Sequence, residues 1–147
     1  MIERGQTPSG FLKHAQEFLA AADLVLNRAR SVSLPAYFLL GRSIELSLKA
    51  FLLHRGVPLT ELRKKQFGHN LRALLDASRQ HGIEQHVPLV SIEAGVIQLL
   101  SFDYDGKRLE YRVTGGTYHL PLIDVTSEVA RKLAFELESI LSNEVPH

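Results

Sequence analysis

Apolar and polar positions alternate along most of this chain with a period close to that of an α-helix, and the phase of the pattern resets between one helical stretch and the next. Behind Thr7-Pro8-Ser9, with Ser9 as the expected N-cap, Phe11, Ala15, Phe18, Ala22, Val25 and Ala29 fall four and three residues apart. Leu12, Leu19 and Leu26 widen the same face, while Lys13, Gln16, Asp23 and Asn27 occupy the opposite one. This spacing predicts a long amphipathic helix with one buried side. After a short connection, Ser31 to Leu34, a second helix is expected from Pro35 to about Arg55, where Gly56 and Pro58 stop it. A basic linker from Glu61 to Phe67 leads to a third helix with Asn70 as N-cap and Leu71, Leu74 and Leu75 facing inward, closed by Gly82. A fourth, beginning near Pro88, carries Leu89, Ile92, Val96, Leu99 and Leu100 and closes at Asp103 to Gly106.

The period then changes from helix to strand. Lys107 to Val113 alternates polar and apolar residues, Thr114-Gly115-Gly116-Thr117 has turn chemistry, and Tyr118-His119-Leu120 resumes the alternation. A short β-hairpin is the expectation. Asp124 is expected to cap a last helix reaching about Leu141, with Val129, Leu133, Leu137 and Ile140 inside. The reading is one mainly α domain over residues 1–147: an up-and-down bundle of four or five helices with a hairpin before the last.

Within the second helix the pattern carries a local contradiction. The helix is apolar on nearly every side, yet Arg42, Glu45 and Lys49 recur at i, i+3 and i+7 and so stack on one stripe. Charges in oily surroundings must be paired or must face a groove. Glu45 can pair with Arg42 and Lys49 along its own helix, or accept a hydrogen bond from His69 or from the backbone at the start of the third helix. Alternatively, Arg42 and Lys49 form an anion-binding ledge that Glu45 holds in place. Leu39, Leu46 and Leu53 lie on another side from Tyr37, Ile44 and Phe51, so this helix asks for two apolar neighbours. The rest of the bundle or a second copy could supply them, and a homodimer is the expectation.

Composition removes several chemistries. The chain has 147 residues, 45% of them hydrophobic, which suits one folded domain. A formal net charge of +1 gives no global attraction to polyanions, so any such site must be a local patch, of which Arg63-Lys64-Lys65 is one. No cysteine is present, which excludes disulfides, thiolate nucleophiles and cysteine–metal sites. The seven histidines show no two-ligand step on one helix face, so neither metal nor cofactor is expected. Phosphate loops, dinucleotide glycine fingerprints and serine elbows are missing too. The first residues lack an apolar core of signal-peptide length, and no window approaches the ~18 apolar residues of a membrane span. A cytoplasmic protein with no membrane partner is the expectation.

Three pieces in this order resemble the HEPN family (higher eukaryotes and prokaryotes nucleotide-binding domain). They are a long amphipathic helix, the step Glu45-Leu46-Ser47-Leu48-Lys49 on an oily helix, and Gly68-His69-Asn70-Leu71 leading into a short one. The resemblance covers Ser9 to Leu75, and the remainder in helix order alone. It implies a helical bundle that commonly dimerises and acts as a binding or assembly module. Nucleotides, RNA or a nucleotidyltransferase-like protein are the partners implied, through Arg42, Glu45, Lys49 and His69.

Other members of that family are metal-independent ribonucleases that carry an arginine, four to six residues, then a histidine. Arg112 and His119 match with six between, and Arg63 and His69 with five. Such cleavage needs a base for the 2′-hydroxyl proton and a cation for the phosphorane charge, roles that histidine and arginine suit. Gly115-Gly116 interrupts the first pair, and the second comes earlier in the chain than the family's catalytic pair. A third expectation is a purely structural helical dimer.

Overall fold

The second helix of the chain is its axis. In the computed structural model, which describes residues 6–29, 31–109 and 117–142, α2 (Leu34–His54) packs against α1 (Pro8–Arg28), α4 (Leu71–Gln80), α5 (Ser91–Asp105) and α6 (Ile123–Glu136). A one-turn helix α3 (Leu59–Leu62), a 3₁₀ turn (Ile83–Gln85) and a short terminal α7 (Glu138–Ser142) complete the order. Thirteen of the 21 residues of α2 are buried, among them Leu40, Ile44, Leu48 and Phe51 with no exposure at all. The apolar surplus of α2 is therefore covered within one chain, by several neighbours rather than two.

The helix starts follow from capping chemistry, mostly one or two residues from the expected positions. Thr7, not Ser9, caps α1, its Oγ1 accepting the Gly10 N–H at 3.0 Å with Pro8 as the first helical residue. Ser33 caps α2 by accepting from the Ala36 N–H, and Pro35 again sits in the first turn. The small residues of α1 let α2 come close: Ala15 and Ala22 are fully buried, and Ser43 Oγ donates to the Ala15 carbonyl at 2.8 Å. Asn70 is the cap of α4, as its chemistry predicts, with Oδ1 accepting from the Ala73 N–H at 3.0 Å. Replacing it with alanine is expected to cost about 1 kcal/mol, which thermal unfolding would show as a fall of a few degrees. Gly82 ends that helix with φ 84°, a left-handed conformation that glycine adopts without penalty.

Three expectations need correcting. A one-turn helix, α3, runs into the start of the basic linker, and its Leu62 plugs the core with no exposure. The last helix is broken in two, at Leu137. Asp124 lies inside the first turn of α6, where its charge favours the helix dipole, and Leu122 takes the cap position without a side-chain bond.

The expected hairpin, Lys107 to Leu120, falls half outside the described residues. No strand occurs among the described residues, and residues 110–116 lie outside them. The described residues on either side are held in other ways. Lys107 takes φ 59°, a left-handed turn directly after α5 that breaks an extended path. The returning chain then has its backbone groups met by side chains: Arg108 Nη2 donates to the Thr117 carbonyl at 2.7 Å, and buried Asp103 accepts the His119 N–H at 2.5 Å. Those two backbone groups are thus met by side chains and not by a neighbouring strand. Among the described residues no helix is long and apolar enough to cross a membrane.

Candidate functional site

Glu45 is the centre of the site, and its carboxylate is hidden from solvent. Its side chain is 0% exposed although it carries a formal charge. Four donors from three separate parts of the chain close around it. Lys49 Nζ approaches Oε2 at 2.7 Å, one helical turn on. Arg42 Nη1 spans both oxygens, at 3.1 and 3.2 Å. His69, two residues before α4, places Nδ1 2.9 Å from Oε1. Tyr104 of α5 donates its hydroxyl to the same oxygen at 2.5 Å. A buried charge costs several kcal/mol unless it is matched in this way.

The electrostatics follow from that crowding. Burial alone would raise the carboxyl of Glu45, but Lys49 and the hydrogen bonds from His69, Lys49 and Tyr104 outweigh it and hold the group below the ordinary carboxylate range. Burial, reinforced by the adjacent Glu45 charge, pushes the Tyr104 phenol far above its usual value, so it stays a donor. Burial would lower Arg42, yet Glu45 and Tyr104 leave it raised. Because an ionised carboxylate can only accept, His69 Nδ1 must carry the proton in this contact, and Nε2 is left for something else.

Two clefts meet over this cluster, and Arg42 and His69 line both. One, of about 500 Å³, lies between Pro35, Phe38 and Leu109. The other, of about 350 Å³, runs along α1 and α3 past Phe11, His14, Phe18, Lys49 and Arg63. Arg42 lies over the ring of Phe18, its Cζ 5.8 Å from the centroid, and is 31% exposed; Lys49 is 14% and His69 41% exposed. Arg42, Lys49 and His69 reach the clefts; Glu45 lines the second one with its side chain fully covered, and Tyr104 lines neither. Three fixed positive charges (Arg42, Lys49 and Arg63) thus face one hidden negative charge in the second cleft, with two histidines beside them. The arrangement can hold an anion.

Of the expected site residues, Arg42, Glu45, Lys49 and His69 come together. The pairing of Glu45 with its own helix and with His69 occurs, and the stripe also faces a groove. Arg63 and His69, one of the two arginine–histidine spacings, line the same cleft. For the other pair, Arg112 lies outside the described residues, while His119 is exposed and stacks against Phe102 at 5.5 Å between ring centroids.

Three participants escape a reading of the sequence. Tyr104 had been absorbed into the helix end; a tyrosine in an apolar helix needs a partner for its hydroxyl, but that partner is 59 residues away. His14 had a legible signal, since Phe11, His14 and Phe18 share one helix face by their spacing. Phe38 reads as ordinary core and instead forms a cleft wall. Comparison with known proteins brought no match to a family model, to a curated protein or to a solved structure.

Proposed function

We propose that this chain is a helical binding module of the HEPN type, whose groove along α1, α2 and the start of α4 receives the phosphate of a nucleotide or RNA. One observation supports the reading above the others: five basic or imidazole side chains line a single cleft, and its one acid, Glu45, is already consumed. Net charge near zero makes this concentration a local feature and not a property of the whole surface. The same groove could accept the acidic surface of a nucleotidyltransferase-like partner. A homodimer remains part of the proposal, on the resemblance alone, because α2 finds its apolar neighbours within the chain.

The test is binding of a 5′-phosphorylated single-stranded oligoribonucleotide, followed by fluorescence anisotropy over a salt series. Binding should weaken as salt rises, and Arg63→Gln should lower the log–log slope by roughly 0.7, the share of one phosphate contact on a single strand. Arg63 suits this because no ion pair ties it to another described residue. No binding at low salt would leave a structural helical bundle. Cleavage of the RNA that disappears in His119→Ala would instead favour the metal-independent ribonuclease reading with Arg112 and His119.

A further inference from the structure

The geometry points to more than a basic patch: we infer that the junction of the two clefts is a site for a single terminal phosphate, a phosphomonoester dianion, in preference to a phosphodiester. This rests on the anion-binding reading just given and specifies its ligand.

The first argument is convergence. Arg42 Nη1 and Lys49 Nζ both contact one oxygen, Glu45 Oε2, at 3.1 and 2.7 Å. Two nitrogens so placed cannot be more than about 6 Å apart, which the oxygens of one phosphate can bridge with charge-assisted hydrogen bonds of ordinary length. Cations arranged to follow a polymer backbone would be strung out along it instead. Here a buried carboxylate acts as a clip that gathers them at a point.

The second argument is the donor inventory. Arg42 meets Glu45 through Nη1 alone, so Nη2 and Nε lie outside that contact. Lys49 spends one of three N–H groups on Oε2. His69 commits Nδ1 and keeps Nε2, which can donate to the anion when charged or accept from a P–OH when neutral. A terminal phosphate has three non-bridging oxygens to meet these donors, whereas a diester has two.

Charge and shape agree. Counting the fixed charges lining the second cleft, three cations against Glu45 leave +2, which matches a dianion and leaves a diester monoanion short by one. Apolar walls flank the junction, Phe38 and Pro35 on one side and Phe11 and Phe18 on the other, so an aromatic group attached to the phosphate has somewhere to lie.

Isothermal titration with phenyl phosphate and methyl phenyl phosphate separates the two cases, since the ring is shared and only the ester state differs. At pH 8 the monoester is fully dianionic, its second ionisation lying near 6. Phenyl phosphate should bind the unaltered protein about tenfold more tightly or better, and Lys49→Gln, whose amide can still donate to Glu45, should bring that ratio close to one. The oligoribonucleotide with a 5′-phosphate should likewise outbind its 5′-hydroxyl counterpart. If only the oligonucleotide pair shows the preference, the phosphate belongs to a nucleic-acid end; if phenyl phosphate shows it as well, a small phosphomonoester suffices. Equal binding of monoester and diester in both pairs overturns the inference and leaves the anion groove standing. Failure of every probe to bind at low salt removes the groove as well.

Discussion

Glu45→Ala should be the most damaging single substitution in this chain, with a loss of about 3–5 kcal/mol. The change removes the acceptor that four donors share and leaves Lys49 and Tyr104 with buried or half-buried polar groups lacking their partner. In a domain with marginal stability of roughly 5–15 kcal/mol, that is a large share of the total. Thermal unfolding followed by circular dichroism should show a fall of about 10 °C or more. Glu45→Gln should cost less, because an amide still fills the space and its oxygen still accepts, but its NH₂ would face donors on the other side. A midpoint within a degree or two of the unaltered protein for Glu45→Ala would mean the cluster contributes nothing to the fold.

The same residue sets a pH dependence whose sign can be worked out. The folded-state value of Glu45 lies below the ordinary 4.5. Its contribution is therefore fully present above that value, and it is lost as the pH falls through the folded value, where the carboxylate takes up a proton. Unfolding midpoints of the native protein should drop on acidification below about pH 4.5. In Glu45→Gln that part of the acid-induced loss should be missing, since no proton is exchanged at the site. Parallel curves for the two proteins through this range would place the titration elsewhere.

How much of this was visible beforehand depends on the range over which the signal acts. Helices were legible because their evidence is local: the apolar spacing of α1, the Asn70 cap and the Gly82 stop each act over four residues or fewer. The charged triad was legible as a problem, since Arg42, Glu45 and Lys49 share a stripe whatever the tertiary structure does. Its solution was only half legible. His69 could be named as a partner from the sequence, whereas Tyr104 enters from α5, and nothing near residue 104 announces a carboxylate. The hairpin expectation, at the described residues of its two ends, shows the opposite case. Alternation in Lys107 to Val113 is a local strand signal, but a left-handed Lys107 and the side-chain bonds from Asp103 and Arg108 are decided by how α5 ends against the returning chain. The salt bridge between those two is itself a charge contact: Arg108 Nε lies 2.7 Å from Asp103 Oδ1, without the alignment of a hydrogen bond. Capping positions slipped by one or two residues for a simpler reason, since Thr7 and Ser9 offer the same chemistry two residues apart.

Gly41→Ala should disturb the site without touching any charged residue. Gly41 sits on α2, one turn before Glu45, and is buried against the face of Tyr104. A β-carbon there would lie 2.5 Å from Tyr104 Cδ1 and 2.8 Å from Cε1, closer than real contacts allow. The ring has little room to yield, being 3% exposed, tilted against Phe38, edge-on to His69 and tied to Glu45 through its hydroxyl. Overpacking of this kind costs about 1–3 kcal/mol. Part of the loss should come from the Tyr104–Glu45 hydrogen bond, and that part can be separated. Tyr104→Phe alone removes the donor while keeping the ring, at a cost of about 1.5–3 kcal/mol for a bond to a charged acceptor. If Gly41 exists to let Tyr104 reach Glu45, the double variant Gly41→Ala/Tyr104→Phe should lose clearly less than the two single losses combined, a coupling of at least about 0.5 kcal/mol in a double-mutant cycle. Strict additivity would show that the glycine accommodates the ring for packing alone, and that the carboxylate gains nothing from the close approach of α5 to α2.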